Sequence, residues 1–281
     1  METEVFRLDH LLIDSEKCRR DGICARDCPM GIIRFNGPDA LPSAVHGAAE
    51  VCINCGHCVA VCPHGALSLR GMKAEECSPL RKELLPTPEQ AAHFLTSRRS
   101  IRQYKARPVT REILSRLIEV AGYAPSGHNI RPVNWLVIED GAEVKRLAGL
   151  VIDWMRLMIK EKPELAGPLH MDKVVSFWEK GVDRICRGAP HVILAHAPAS
   201  LRVAQPSCTI ALTYLELAAY SMGLGACWAG FFAAAAAAYP PLTRELGLPE
   251  GHQCFGAMMV GYPAVQYHRI PLRKKPAITW R

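Results

Sequence analysis

Several common catalytic signatures are missing from this 281-residue sequence. It has no G-x-S-x-G nucleophile elbow, no H-E-x-x-H zinc-protease pair and no glycine-rich phosphate loop ending in G-K-S or G-K-T. These absences exclude the commonest serine hydrolases, zinc proteases and P-loop nucleotide hydrolases. The opening residues METEVFRLDH also lack the apolar core of a signal peptide, so we expect a cytoplasmic protein.

The stretch from Leu217 to Tyr239 has no charged residue, which raises the question of a membrane span. Gly223, Gly225 and Gly230 interrupt it, and its six-alanine run is only weakly hydrophobic. We therefore expect a buried helix and no membrane partner. The net charge of +7 comes from scattered cations, which does not favour nucleic-acid binding.

A cysteine-rich run is the strongest signal that is present. Residues 52–62 read CINCGHCVAVC, followed by a proline, and the ligand candidates are Cys52, Cys55, Cys58 and Cys62. Three thiolates within seven residues must wrap one compact object, which favours an iron–sulfur cluster. Structural zinc and disulfides are the alternatives, but zinc knuckles usually supply two close ligands each.

The same spacing occurs thirty-four residues earlier, which indicates an internal duplication. The first copy contains Cys18, Asp21, Cys24 and Cys28 before Pro29. One substitution breaks the pattern, because an aspartate stands where the second copy has a cysteine.

The duplicated pattern resembles the bacterial two-cluster ferredoxins, in which the fourth cysteine of each run binds the cluster of the other run. The resemblance implies one cluster held by Cys52, Cys55, Cys58 and Cys28. It implies a second held by Cys18, Asp21, Cys24 and Cys62. A carboxylate is a harder and weaker ligand for iron than a thiolate, so this second site would be either a 4Fe-4S cluster with one oxygen-ligated iron or a 3Fe-4S cluster.

Composition changes near residue 80, where the cysteine pairs cease and three prolines punctuate a charged segment. We therefore predict a two-cluster ferredoxin domain over residues 1–80, a connector over 81–95 and a second domain over 96–281. A helical pattern resumes near Glu89.

The second domain begins with a basic segment, SRRSIRQY at Ser97–Tyr104. Its guanidinium and hydroxyl groups suit a phosphate, although a solvated basic helix start is the alternative. Then come PSGHN at Pro125–Asn129, the apolar GLGACWAG, a GYP and an RKK. This order resembles the FMN-dependent nitroreductase family over roughly residues 90–281. GLGAC lacks the third glycine of a dinucleotide fingerprint, so a Rossmann domain is discarded.

The resemblance assigns roles to particular residues. The FMN phosphate and ribityl chain would be held by Arg98, Arg99, Ser100 and Arg102, with Arg273 and Lys274 closing over the phosphate. In a homodimer, the second subunit would line the flavin with Pro125, Ser126, Gly127 and Asn129. Along the isoalloxazine would lie Trp228, Ala229 and Gly230, and a backbone amide at Ala229 or Gly230 would be the catalytic contact to N5. Many relatives carry an acidic residue in place of Ala229 and a glutamine in place of Arg131.

The expected fold class is α+β: an N-terminal two-cluster ferredoxin-like domain followed by a dimeric nitroreductase-like domain with strands in VNWLVI, HVILAHA and CFGAMMVGY. The expected function is an iron–sulfur flavoprotein oxidoreductase. It would pass electrons between clusters and FMN to reduce a nitro, quinone or unsaturated carbonyl compound, with ferredoxin or NAD(P)H as donor. The alternative is a redox sensor or electron relay without small-molecule turnover.

Replacing Asp21 with cysteine is expected to change the cluster spectrum, because the fourth ligand becomes a thiolate like the other three. Electron paramagnetic resonance (EPR) of anaerobically purified protein distinguishes a 3Fe-4S from a 4Fe-4S cluster before and after the change. Unaltered spectra in Asp21→Cys would rule out both forms of the aspartate site.

Overall fold

The computed structural model describes residues 6–8, 11–37 and 39–281. Their contacts form two compact units. The first contains the described residues up to Leu85 together with His128–Ile130, and the second contains Pro86–Gly127 and Arg131–Arg281. The change of unit at Leu85 falls inside the segment that we predicted to be a connector, whereas the assignment of three later residues to the first unit was not anticipated.

Short elements build the first unit. Strands β1 (Phe6–Leu8), β2 (Leu11–Ile13) and β5 (Leu67–Leu69) form an antiparallel sheet in the order β1-β2-β5, and β3 (Ile33–Phe35) pairs with β4 (Pro42–Ala44). Between them lie three four-residue helices, α1 (Ile23–Arg26), α2 (Ala48–Val51) and α3 (His57–Ala60). The core of this unit is small and includes Leu11, Ile33 and Val59 beside the buried cysteines Cys24 and Cys58.

The thirty-four-residue repeat of the sequence is also a repeat of the backbone. Helices α1 and α3 start at equivalent positions, as do strands β3 and β5. Each of the two helices is preceded by a glycine in the left-handed region, Gly22 at φ +73° and Gly56 at φ +74°. Glycine adopts this conformation without the steric cost that a side chain would bring. The two cysteine runs therefore fold as copies of one loop-and-helix unit.

The second unit is a four-stranded antiparallel sheet covered by helices. Its strands are β6 (Asn134–Ile138), β7 (His191–Pro198), β8 (Gly225–Trp228) and β9 (His252–Gly261), in the order β6-β7-β9-β8. Its helices are α4 (Pro88–Ser97), α5 (Arg111–Ala121), α6 (Gly141–Glu161), α7 (Pro163–Ala166), α8 (Met171–Glu179), α9 (Ala204–Ser221), α10 (Gly230–Ala238) and α11 (Pro240–Leu246). The three predicted strands and the α+β class are confirmed.

Alternation along β7 explains why its sequence is apolar throughout. Ile193 and Ala195 pack in one hydrophobic cluster with helices α5 and α9, whereas Val192 and Leu194 pack in another with α6 and α10. Successive side chains of a strand point to opposite faces, so a strand covered on both faces must be apolar at every position.

Helix α4 begins where its sequence predicts. The Thr87 hydroxyl accepts a hydrogen bond from the Gln90 N–H (3.2 Å), and the Gln90 side chain accepts one from the Thr87 N–H (2.9 Å). This reciprocal capping box, with Pro88 at the first helical position, satisfies amide groups that have no acceptor within the helix.

Our prediction for the uncharged stretch from Leu217 to Tyr239 was wrong. We predicted a single buried helix, but the stretch contains the end of α9, the strand β8 and the helix α10. Gly223, at φ +70°, follows the end of α9 and lets the chain turn into β8. None of the described helices is long and apolar enough to cross a membrane.

The start of β8 lies against the basic segment that follows α4. The Ile101 N–H donates to the Ala226 carbonyl (2.9 Å). A Cβ on Gly225 would lie 2.6 Å from Cγ1 and 2.7 Å from Cβ of Ile101. Such a close approach is possible only with glycine.

Gly225→Ala is expected to lower the free energy of unfolding by about 1–3 kcal/mol, because the added methyl group overpacks a site with little room to relax. Gly149→Ala is the matched control, since its new Cβ would meet Trp178 at an ordinary 3.6 Å. Replacing this glycine inside helix α6 is expected to stabilise the protein by about 0.5–1 kcal/mol. Urea unfolding followed by circular dichroism measures both changes, and equal midpoints would contradict the close packing.

Candidate functional site

Four of the predicted cluster ligands line one cavity of the first unit. They are Cys28, Cys52, Cys55 and Cys58. Cys28 belongs to the first cysteine run and the other three belong to the second. The structure therefore brings together the crosswise set that the ferredoxin resemblance implies.

A separate cavity is lined by the other four predicted ligands, Cys18, Asp21, Cys24 and Cys62. Arg19 and His64 also line it, and the sequence interpretation had given neither a role. Because an imidazole is a metal ligand in other proteins, His64 is a second possible donor beside Asp21.

The pKa of each buried cluster-site thiol is raised by burial and by neighbours from its own group of four. Burial raises the pKa of Cys24 to about 11, and the nearby Cys18, Cys62 and Asp21 add to the increase. Burial raises the pKa of Cys58 to about 12, with Cys28, Cys55 and Cys52 adding to it. These thiols need a nearby positive charge to ionise at neutral pH, and iron supplies such a charge.

The described residues offer no site for a single metal ion. Within the ranges that the structure describes, no three His, Cys, Asp or Glu side chains lie close enough to hold one metal ion together. The donor set, seven sulfur atoms and one carboxylate in two groups of four, is of the kind that binds iron–sulfur clusters, and the number of clusters stays a prediction.

Asp21 already has a structural partner. One of its carboxylate oxygens, Oδ1, accepts a hydrogen bond from the Ile23 N–H at 3.0 Å. This bond caps the start of α1, which explains an aspartate at this position without any ligand. The other carboxylate oxygen is left for a ligand, and iron binding by Asp21 stays a prediction.

In the second unit, the predicted phosphate segment follows α4 and has no regular secondary structure from Arg98 to Gln103. Arg98 forms a salt bridge with Glu216. The charge of Arg102 opposes the increase that burial causes in the pKa of the Cys227 thiol. Arg99, by contrast, lines a cavity with Ile101 and Arg269. The four residues assigned to FMN therefore do not share one set of contacts.

A buried carboxylate that the sequence interpretation missed holds one of these arginines. Glu216 of α9, whose side chain is 9% exposed, accepts a hydrogen bond from Arg98 Nη1 at 2.7 Å. It is the only charged residue between Arg202 and Arg244. That isolation was a usable signal, because a charge inside an apolar helix needs a partner.

Two more arginines approach each other beside Cys227. Burial lowers the pKa of Arg187, and the charge of Arg102 lowers it further. Burial raises the pKa of Cys227, while Arg102, Arg187 and a hydrogen bond from Ser100 oppose that change. Two guanidinium groups that lie near each other can both donate to one phosphate, and phosphate binding here stays a prediction. Arg187 was not among the predicted residues.

The hydrogen bonds of the residues after β8 bear on which backbone amide could reach flavin N5. The Ala229 N–H donates to the Ala257 carbonyl at 2.8 Å, so this donor is already used. Gly230 is the first residue of α10, where amide groups have no acceptor within the helix. Trp228 is 37% exposed, so part of its ring is open to solvent.

The PSGHN segment is divided between the two units. Pro125 and Ser126 line a cavity of the second unit with Arg131, and the Ser126 hydroxyl accepts a hydrogen bond from the Arg131 N–H (2.9 Å). A Cβ on Gly127 would lie 2.9 Å from Cγ1 of Val203, so this glycine also allows a close approach. Asn129 belongs to the first unit by its contacts.

The start of the C-terminal segment is hydrogen-bonded to the end of the basic segment. The Ala264 N–H donates to the Gln103 carbonyl at 2.9 Å, and Arg269 lines the same cavity as Arg99. Arg273 and Lys274 lie farther along and are exposed. Their closure over a phosphate stays a prediction, and Arg269 is a further basic residue of this segment.

Comparison with known proteins agrees with the division of the chain. A model of the nitroreductase family matches residues 95–262. The chain belongs to the nitroreductase family. A 4Fe-4S dicluster domain matches residues 10–63, so the family domain carries an N-terminal iron–sulfur domain. The chain is accordingly an oxidoreductase of this family with a ferredoxin-like extension.

Individual relatives cover the nitroreductase domain. An NADH dehydrogenase from Thermus thermophilus is 30% identical over 203 residues, which are 66% of this chain and 92% of the relative. An FMN-bound nitroreductase structure from Bacteroides fragilis superimposes with a TM-score of 0.56 at 21% identity, covering 68% of this chain and 97% of that chain. An FMN-bound nitroreductase from Desulfitobacterium hafniense gives 0.55 at 23% identity, covering 67% and 96%. These two structures share the fold.

Arg98→Ala is expected to lower the free energy of unfolding of the flavin-free protein by about 3 kcal/mol, because it leaves the Glu216 carboxylate buried without its partner. Adding Glu216→Gln to this variant is expected to restore most of the loss. The matched control is Arg99→Ala, which removes an arginine from an open cavity and is expected to cost less than about 0.5 kcal/mol. Chemical denaturation measures all three, and equal losses for the two arginines would refute the ion-pair role.

Proposed function

We propose that the protein is an iron–sulfur flavoprotein oxidoreductase, active as a homodimer, with two clusters and FMN. In this proposal electrons enter through the clusters and leave through FMN to a small organic acceptor, namely a nitro, quinone or unsaturated carbonyl compound. The observation that carries the proposal is the separation of eight predicted ligands into two cavities of four. A nitroreductase-family domain on the same chain supports FMN as the second redox group.

The first unit would hold both clusters. Cys28, Cys52, Cys55 and Cys58 offer four sulfur ligands to a 4Fe-4S cluster. The other cavity offers Cys18, Cys24 and Cys62, with Asp21 at the fourth corner, which supports either an oxygen-ligated 4Fe-4S or a 3Fe-4S cluster.

The second unit would hold FMN through its arginines. Arg102 and Arg187 are both candidates to bind the phosphate, while Glu216 fixes the direction of Arg98. Bound FMN would accept electrons singly or in pairs and deliver a pair to an organic acceptor. The Gly230 amide is the donor left for N5, and the exposed Trp228 offers a flat apolar surface beside it.

A reducing compartment suits this chemistry. All the described cysteines are free thiols, and the cluster ligands need to stay reduced. We therefore place the activity in the cytoplasm. The electron donor is either a reduced ferredoxin, which would use the clusters, or a nicotinamide, which the name of the Thermus thermophilus relative suggests.

Anaerobically purified protein is expected to contain about eight iron atoms and one FMN per chain, or about seven iron atoms with a 3Fe-4S cluster. Reduced ferredoxin is expected to bleach the flavin absorbance in a stopped-flow mixing experiment. Cys58→Ser is expected to abolish this bleaching, because it removes a ligand of the all-cysteine site. Bleaching by NADH or NADPH is measured on the same samples.

The outcomes separate the competing versions. Bleaching by nicotinamide alone, unchanged in Cys58→Ser, would overturn the inward direction of electron flow while leaving the cofactors in place. Absence of iron or FMN would overturn the proposed cofactors. Full reduction without turnover of any tested nitro compound, quinone or enone would replace the enzyme with a redox sensor or relay.

A further inference from the structure

One side chain of the first unit donates two hydrogen bonds to a cluster-binding loop. Asn129 Nδ2 donates to the Ile53 carbonyl at 3.1 Å and to the Asn54 carbonyl at 3.0 Å. A primary amide has two N–H donors, so both are used. If Asn129 also contacts FMN, as the family resemblance implies, it must do so through its carbonyl oxygen.

The two accepting carbonyls lie between two predicted ligands. Ile53 and Asn54 are the residues between Cys52 and Cys55, and Ile53 itself lines the cavity of the all-cysteine site. Asn54 has a φ of +47°, in the left-handed region that costs energy for a residue with a side chain. A peptide held in this way needs support from its surroundings, and the Asn129 amide provides it.

The other copy of the loop lacks this support. Its equivalent residues are Arg19 and Arg20, and Arg20 has the same left-handed turn at φ +57°. Among the residues that the structure describes, no side chain donates to the carbonyl of Arg19 or Arg20. The two copies therefore share a backbone and differ in this contact, as well as in the charge of the two loop residues.

We propose that Asn129 is a positioning residue for the cluster held by Cys52, Cys55, Cys58 and Cys28. Its side-chain amide fixes the Ile53 and Asn54 carbonyls and thereby sets the reduction potential of that cluster alone. The inference rests on the proposed function, because it requires a cluster at this site. Hydrogen bonds and charges around cluster sulfurs set the reduction potential, and residues that orient the ligands contribute to it.

The direction of the effect follows from charge. Asn129→Asp replaces the two donors with a carboxylate that repels both carbonyls, and its negative charge disfavours the added electron of the reduced cluster. The midpoint potential of the all-cysteine cluster is therefore expected to become more negative. Asn129→Ala removes the donors without adding charge, so its shift is expected to have the same sign and to be smaller.

EPR-monitored redox titration of the full-length protein tests this, since it follows each cluster by its own signal. The cluster of the Asp21 site is an internal control and is expected to keep its potential in both variants. Asn134→Asp is the matched external control, because the Asn134 amide also donates to a backbone carbonyl, that of Pro132 at 3.0 Å, outside the cysteine runs. FMN content is quantified in every sample, so that a loss of flavin is not mistaken for a change at the cluster.

Selective loss of iron is a second measurement that does not depend on the charged variant. With a chelator present, the EPR signal of the all-cysteine cluster is expected to decay several-fold faster in Asn129→Ala than in the unmodified protein, while the other signal decays at an unchanged rate. Unmoved potentials and decay rates, or equal shifts at both clusters, would overturn the inference alone. Absence of the all-cysteine cluster from the unmodified protein would overturn this inference together with the proposed function.

Discussion

The close contact between Ile101 and Gly225 is the constraint on which the second unit depends. A hydrogen bond from the Ile101 N–H to the Ala226 carbonyl joins the basic segment to β8, and the missing side chain of Gly225 makes room for it. Beside this contact, Arg98 pairs with Glu216 and Arg102 lies near Cys227. The glycine therefore helps to position the segment that carries candidate phosphate ligands.

The features that the sequence predicted well are those with a repeat or a period. A spacing of thirty-four residues in the cysteines became two backbone copies, each with a glycine in the left-handed region before its helix. The strands of the second unit were recognisable as short apolar runs. The start of α4 is also set by local sequence. Thr87 and Gln90 form a capping box, and Pro88 occupies the first helical position.

Features that depend on tertiary contacts were not predicted. The stretch from Leu217 to Tyr239 reads as one apolar helix, because periodicity does not distinguish a buried strand from a buried helix. The positions of Gly223 and Gly225 turn it into a helix, a strand and a second helix. Four basic-segment residues were assigned together to FMN, yet Arg98 pairs with Glu216 whereas Arg99 lines another cavity. Arg187 could not be recognised, because nothing in its own neighbourhood of the sequence links it to Arg102.

The assignment of His128–Ile130 to the first unit has a consequence for dissecting the gene. A fragment that ends at Leu85 contains all eight candidate cluster ligands, but it lacks the Asn129 amide that supports the loop between Cys52 and Cys55. A fragment cut at Leu85 would thus have one cluster-binding loop without its supporting hydrogen bonds. Fusing that fragment to another reductase would not restore them. The natural boundary of the iron–sulfur module is discontinuous along the chain.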